Sequence, residues 1–272
     1  MTRTWSVSVL LVVLVALAGC MGGGVADAPA GGSGNSGGSG GGSGGSDGSD
    51  GSSGADDFDV ADPERVLRDA GSFTSTWTFT MVDAEGVESR MSNGFAVDLA
   101  TNRTSESLSM SGEDGTSYER FTADGTSYTR YGDGEETFYQ VMPVQDDPVA
   151  SALARGASLS YDDLSEARSV GTETFDGAPV ERYEYSDPLL WRQYGATTFG
   201  TEENVTVTEF TMFALVDDDG LARSTGWTLV GETETGETVT AEWRFDVTGV
   251  GSTAVADPDW LAEARAGANP SG

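Results

Sequence analysis

The feature that most constrains this chain is a strict two-residue alternation of apolar and polar side chains near its C-terminal end. Every second residue from Val239 to Val247 is apolar, and the residues between them are threonine or charged. Successive side chains of a β-strand point to opposite faces, so this period predicts a strand with one buried and one solvated face. Such a strand is stable only within a sheet, and the sequence therefore requires a sheet with a hydrophobic core.

Other segments show the same period. Phe73–Met81 alternates with threonine, and Met91–Leu99 predicts the next strand. Val205–Val216 is also strand-like, but its apolar phase shifts between Val207 and Phe210, which predicts a β-bulge. These strands belong to the middle and C-terminal parts of the chain.

Turn and helix signals separate the strands. Asp-Gly pairs, which favour tight hairpins, occur at 114–115, 124–125, 133–134, 176–177 and 219–220. Asp-Pro pairs, which favour helix starts, occur at 62–63, 147–148, 187–188 and 257–258. We therefore predict the α+β class, with one antiparallel sheet and a few short helices.

The N-terminal segment predicts export and lipidation. Arg3 is followed by an apolar run, too short for a confident membrane span, that closes with Leu17-Ala18-Gly19-Cys20. Leu-Ala-Gly-Cys resembles the lipobox of prokaryotic lipoproteins, a family in which the cysteine matching Cys20 is lipidated and the chain is cut just before it. The resemblance implies a protein anchored to the cell membrane through Cys20 and facing the extracellular side. The alternative is an uncleaved signal anchor with an incidental cysteine.

The remaining chain divides into a linker and one domain. Every residue from 31 to 54 is Gly, Ser, Asn or Asp, a composition that cannot bury a core. A coil from Cys20 to Asp57 has a root-mean-square reach of about 30–35 Å. We predict a signal peptide at 1–19, the lipidated cysteine and flexible linker at 20–57, and a single domain at 58–269.

The charge balance restricts the partners. The formal net charge is -31, from 45 acidic residues and 14 basic residues that are all arginine. This charge would repel nucleic acid, which we exclude as a partner, and it would also repel anionic lipid headgroups, which we expect to be poor partners. Acidic excess without lysine resembles the proteins of salt-in halophilic archaea, and the chain resembles haloarchaeal surface lipoproteins of unassigned function. The alternative is an acidic mesophilic protein.

The sequence carries few of the groups that enzymes use. It has no histidine, and its one cysteine is Cys20, so neither a Ser-His-Asp triad nor a His/Cys metal site can form. We predict a non-enzyme without a metal or cofactor; a pair of catalytic carboxylates stays open and would need a cleft and perturbed pKa values. Asn102 and Asn204 open Asn-X-Thr sequons and are candidate glycosylation sites.

The sheet's apolar side is the candidate binding surface. The alternation directs large side chains to one face, and a helix after Asp187-Pro188 would place Trp191 over it. The candidate cavity residues are Trp77, Phe79, Phe95, Trp191, Trp227, Trp243 and Phe245. The alternative is an ordinary filled core, as in an envelope structural or protein-interaction module.

The order of these segments carries a resemblance. A lipobox, a first helix, a long antiparallel sheet and mid-chain helices resemble the LolA/LppX-like lipoprotein carriers, and the stretch Val170–Val180 followed by Tyr183 and Tyr185 is similar to a segment of that group. The resemblance implies a curved half-barrel with short helices on its concave face, which binds a lipid-like ligand. We expect a monomer attached to the membrane.

Cys20→Ser tests the anchor. We expect the variant chain to be unlipidated, and either released to the medium or stalled uncleaved, because Cys20 carries the only thiol. Metabolic labelling with a lipid precursor and fractionation would detect both outcomes. A variant that stays membrane-bound and is still cut before position 20 would show that the anchor lies elsewhere.

Overall fold

The computed structural model describes residues 60–111, 117–132, 137–156, 164, 166–190 and 205–268. The helices are α1 (Pro63–Ala70), α2 (Pro148–Ala154) and α3 (Leu261–Ala268), with a short 3-10 turn at Pro188–Leu190. The strands are β1 (Ser72–Val82), β2 (Glu88–Asp98), β3 (Arg103–Met110), β4 (Ser117–Ala123), β5 (Thr126–Tyr131), β6 (Phe138–Pro143), β7 (Arg168–Phe175), β8 (Ala178–Ser186), β9 (Val205–Asp217), β10 (Ala222–Thr233) and β11 (Thr238–Thr248).

All eleven strands form one antiparallel sheet in the order β6-β5-β4-β3-β2-β1-β11-β10-β9-β8-β7. Two meanders, β1–β6 and β7–β11, meet where β1 pairs with β11, and β6 and β7 are the outer edges. The predicted fold class is confirmed: the domain is α+β, with a single curved, open antiparallel sheet of the half-barrel type and short helices.

Local sequence signals explain the turns. Asp124 and Gly125 have φ of 53° and 71°, and Asp176 and Gly177 have φ of 50° and 79°. Positive φ at both central residues is the type I′ geometry, which matches the right-handed twist of the flanking strands. The Asp-Gly pairs at 114–115 and 133–134 lie outside the described residues.

The predicted bulge lies where the apolar phase shifts. Val230 pairs with Glu209, and the next residue, Gly231, pairs with Val207, so Thr208 is the extra residue of β9. The Thr208 hydroxyl donates to the Val230 carbonyl at 3.2 Å. One inserted residue moves the side chains beyond it to the other face of the strand. The apolar positions of the sequence therefore shift by one residue at this point.

The helix ends follow their capping residues. The Asp62 carboxylate accepts from the Glu64 N–H, Pro63 opens α1, and Gly71 ends it with φ of 77°. At α2, the Asp147 carboxylate accepts from the N–H groups of Val149 and Ala150. Each cap satisfies backbone groups that a helix end leaves unpaired.

The helices pack on both sides of the sheet. We call the side that carries Trp77 and Phe245 the aromatic face. The residue after α2, Arg155, lies over Phe95 on this face, with 4.1 Å between its guanidinium carbon and the ring centroid. α3 packs on the opposite face, where Leu261 and its neighbours contact apolar residues of β4. This opposite-face cluster consists of Phe121, Ala123, Val255, Trp260, Leu261 and Ala264.

Gly226 and Gly94 form a matched pair of strand glycines for a packing test. A Cβ at Gly226 would lie 2.5 Å from the Trp243 carbonyl oxygen and 2.9 Å from the Phe213 ring, whereas one at Gly94 would lie 3.4 Å from its nearest neighbour, Ser107 Oγ. We expect Gly226→Ala to lower the free energy of unfolding by about 1–3 kcal/mol through overpacking. Gly94→Ala should leave it unchanged or raise it by about 0.4–1 kcal/mol.

Urea unfolding at constant salt measures both variants. Equal effects of the two substitutions would contradict the close packing at Gly226.

Candidate functional site

Large apolar side chains form a continuous row across the aromatic face. Residues directly opposite one another in antiparallel strands share a face, so the strand register defines the row. It crosses seven strands through Met110, Met91, Phe79, Trp243, Trp227, Met212 and Tyr185. At the usual spacing of strands, the row is roughly 29 Å long.

Six of the seven candidate cavity residues lie on this face. Phe79 pairs with Trp243, which pairs with Trp227, and Trp77 pairs with Phe245 in the neighbouring row. Trp77, Phe95, Trp227, Trp243 and Phe245 are buried, whereas Phe79 is half-buried. Trp191, the seventh candidate, lies outside the described residues.

Ring contacts connect the centre of the row to its flank. The centroids of Phe79 and Trp227 are 6.3 Å apart in an edge-on arrangement, and those of Phe210 and Trp227 are 5.8 Å apart. Contacts of this kind stabilise aromatic clusters beyond simple burial. Leu189, expected at the start of a covering helix, is instead 69% exposed.

The end of α2 packs tightly on part of the aromatic face. A Cβ at Gly156 would lie 2.8 Å from the Phe245 ring, so only glycine allows the backbone to approach so closely. However, α1 has eight residues and α2 has seven, which gives lengths of about 12 Å and 10 Å. Both α1 and α2 are therefore less than half as long as the apolar row.

A buried carboxylate interrupts the aromatic face at its β3 side. The side chain of Glu106 is 4% exposed and lies opposite Phe95 on β2 and Arg120 on β4. Its Oε2 binds Arg120 Nη1 at 3.1 Å, and its Oε1 binds Arg155 Nη2 at 2.9 Å. Oε1 also accepts from Tyr118 Oη at 2.8 Å and from Asn93 Nδ2 at 3.0 Å. We call these five residues the Glu106 cluster.

The two guanidinium groups keep Glu106 ionised. Burial would raise the pKa of its carboxyl, but Arg155, Arg120 and the hydrogen bonds outweigh that effect and hold the pKa below its usual value. The pKa of Tyr118 is raised, first by burial and then by the adjacent Glu106 charge. The cluster thus contains two guanidinium groups against one carboxylate.

Sequence reasoning missed the Glu106 cluster, although β3 contains a signal for it. Glu106 has the same strand phase as the apolar residues Leu108 and Met110. A carboxylate that a strand directs to a buried face must be paired with cationic side chains. Arg120 and Arg155 come from β4 and the end of α2, which the sequence alone does not connect to β3.

A groove lies beside α3 on the opposite face. This groove, of about 560 Å³, is lined by Glu119, Arg130, Thr137, Tyr139, Pro258, Asp259, Trp260 and Glu263. Trp260 Nε1 donates to Glu119 at 2.5 Å, and the Tyr139 hydroxyl donates to Glu263 at 2.7 Å. The two rings stack with centroids 6.1 Å apart. These contacts attach α3 to β4 and β6.

The described residues contain neither a metal-binding cluster of side chains nor a membrane-spanning helix. Within them, no three His, Cys, Asp or Glu side chains converge as a metal site. Nor does any described helix have the length and hydropathy of a membrane span.

Comparison with known proteins gives a matching family model and distantly similar solved structures. Residues 6–264 match a family described as a family of unknown function (DUF7537). Among curated proteins, none matches the sequence. The lipoprotein LppX of Mycobacterium tuberculosis is similar at 9% identity, over 71% of this chain and 95% of LppX, with a TM-score of 0.34.

Two further solved structures are similar at the same level. LprF of Mycobacterium bovis has 9% identity over 74% of this chain and 98% of LprF, with a TM-score of 0.32. A LolA superfamily protein of Nitrosomonas europaea has 8% identity over 72% of this chain and 96% of its own, with a TM-score of 0.19. Likeness at this level assigns no ligand to the chain.

Glu106→Gln tests the energetic role of the cluster. The folded-state pKa of Glu106 is depressed, so its stabilisation is complete above the unfolded-state pKa, about 4.3, and is lost as the pH falls through the folded value. We expect the variant to be less stable than the wild type by about 3 kcal/mol at neutral pH, and this difference to shrink in acid.

Asp69→Asn is the control, because Asp69 forms an exposed pair with Arg65 at 3.8 Å. It should change stability by under about 0.5 kcal/mol at any pH. A Glu106→Gln penalty that is constant with pH would mean that shape, and not charge, stabilises the cluster.

Proposed function

The chain belongs to the family of unknown function DUF7537, and we propose that it is a membrane-anchored extracytoplasmic lipoprotein that binds or carries a lipid-like ligand on its aromatic face. The observation that supports the ligand is the seven-strand apolar row. Its length of roughly 29 Å is well above that of α1 or α2. An elongated apolar row of this kind matches the shape of an acyl chain.

The sequence supports the location. Lipid on Cys20 would hold the chain on the cell membrane, facing the extracellular side, and the linker would let the domain move about 30–35 Å from it. The acidic, lysine-free composition agrees with a halophilic archaeal cell surface, where concentrated salt screens repulsion among carboxylates. We propose the domain boundaries 1–19, 20–57 and 58–269 on the same grounds.

Glycosylation at Asn102 fits an external domain. Asn102 is exposed in the turn between β2 and β3, with a left-handed φ of 53° that asparagine tolerates well. An exposed side chain in a tight turn is open to a modifying enzyme. Asn204, the other sequon, lies outside the described residues.

The alternative is an envelope structural or protein-interaction module with a filled core. It is favoured by the close approach of Gly156 to Phe245 and by the burial of five of the six described cavity candidates. In that case the aromatic residues stabilise the sheet and have no exchangeable ligand.

Native mass spectrometry and a fluorescent fatty-acid probe separate the two functions. The full chain with Cys20→Ser is the sample, because it lacks a covalent lipid that could compete with the probe. For a carrier we expect co-purified lipid or saturable probe binding in concentrated salt. A chain that carries no lipid and binds no probe would overturn the proposal and favour the filled-core module.

Substitutions at two buried tryptophans, one on each face of the sheet, test where the ligand binds. Trp243 lies in the apolar row, whereas Trp260 lies in the opposite-face cluster, and both are buried. We expect Trp243→Leu and Trp260→Leu each to lower the free energy of unfolding by roughly 2–4 kcal/mol. Only Trp243→Leu should weaken probe binding, by about tenfold, which equals about 1.4 kcal/mol.

Near-UV circular dichroism would confirm that both variants are folded before binding is compared. Equal loss of binding in the two variants would show that the probe does not occupy the aromatic face.

A further inference from the structure

We propose that Arg120 and Arg155 form a headgroup subsite at the β3–β4 side of the aromatic face, for the anionic end of an amphiphile. The group recognised is a carboxylate or a phosphate. This inference rests on the proposed function and specifies the class of its ligand.

The subsite carries an excess of positive charge. Two guanidinium groups contact one carboxylate, Glu106, at 3.1 Å and 2.9 Å. By strand register, Glu106 is the one carboxylate that the described residues of β2, β3, β4 and β5 direct to the aromatic face. Because the chain as a whole has a net charge of -31, a patch with more positive than negative side chains is unusual in it.

Arg120 retains capacity for a further acceptor. Its side chain is 33% exposed, its Nη1 donates to Glu106, and its Nε donates to Thr129 at 3.4 Å. Among the described residues, none accepts a hydrogen bond from its Nη2. A guanidinium offers five N–H donors in a planar fork that matches carboxylate and phosphate oxygens.

A buried acceptor lies beside the two arginines. Asn93 Oδ1 is buried and has no hydrogen-bond partner among the described residues, while Asn93 Nδ2 donates to Glu106 and to the Ser107 carbonyl. Exchanging the amide's oxygen and nitrogen would place its oxygen against the Glu106 carboxylate, so the assigned orientation is the favourable one. The unpaired Oδ1 marks a polar position that no described residue of the chain fills.

The subsite is continuous with the apolar row. Glu106, Leu108 and Met110 follow one another on the same face of β3, and Met110 is the end of the row. Four residues of a strand span about 13 Å. An amphiphile could therefore place its chain along the row and its charged end at Arg120.

Hexadecanoate and hexadecanol, which share an alkyl chain, test the subsite on the Cys20→Ser chain at neutral pH. We expect hexadecanoate to displace the fluorescent probe at a concentration about tenfold or more below that of hexadecanol, because hydrogen bonds to charged groups are strong. Arg120→Gln should abolish this preference.

Arg182→Gln is the matched control. Arg182 also pairs with a carboxylate, Glu184, lies 4.8 Å from the Phe213 ring centroid, and is 34% exposed, but it belongs to the opposite face. It should retain the preference for hexadecanoate. Arg120→Lys, which keeps the charge without the fork, should retain part of it.

The outcomes are distinguishable. Equal displacement by hexadecanoate and hexadecanol in the wild type would overturn the headgroup subsite and leave the carrier function intact, even if Arg120→Gln failed to fold. No binding of any alkyl probe would overturn the carrier function itself. If inorganic phosphate binds as tightly as hexadecyl phosphate, the subsite holds a free anion, and the assignment to a lipid headgroup is wrong.

Discussion

The pairing of the first strand with the last strand is the interaction on which the whole sheet depends. β1 and β11 are separated by most of the domain's sequence, yet they lie side by side at its centre and connect the two meanders. Within each meander, neighbouring strands are consecutive in the sequence, but neither meander alone gives the seven-strand row. The pairs Phe79–Trp243 and Trp77–Phe245 supply large apolar contacts at this junction. Because such a long-range contact forms only after a large loss of chain entropy, we expect folding to be limited by this junction.

Local features of the fold were predictable from the sequence, and the long-range arrangement was not. Alternation predicted β11 and the shared face of its aromatic residues, and the phase shift near Val207 predicted the bulge at Thr208. The sequence gives no local signal for the β1–β11 pairing or for the position of α3 on the opposite face. The Glu106 cluster was missed for the same reason: its carboxylate is visible in β3, but Arg120 and Arg155 reach it only after the sheet and α2 are assembled.

Arginine acts in this acidic domain as a connector between elements. Arg68 binds Glu64 of α1 and Asp147, the cap of α2, each at 2.6 Å. Arg103 joins β3 to Asp257 before α3 at 3.1 Å. Several guanidinium groups also lie over aromatic rings, a contact that their planar shape allows and a lysine ammonium matches less well. Because the chain has few cationic residues, arginine suits it well: one guanidinium group makes several contacts at once.

Within the part of the chain that the structure describes, β6 and β7 each pair on one side only, and both strands have features that discourage further pairing. β7 has a register shift between Ser169 and Gly171, where Gly171 adopts a φ of 140°. β6 ends at Pro143, which has no N–H to donate. Irregular backbone and proline at sheet edges oppose strand addition. If copies of the protein are tethered to a membrane in concentrated salt, as proposed, they would meet often with their mutual repulsion screened, and these two irregular edges would oppose aggregation through the sheet.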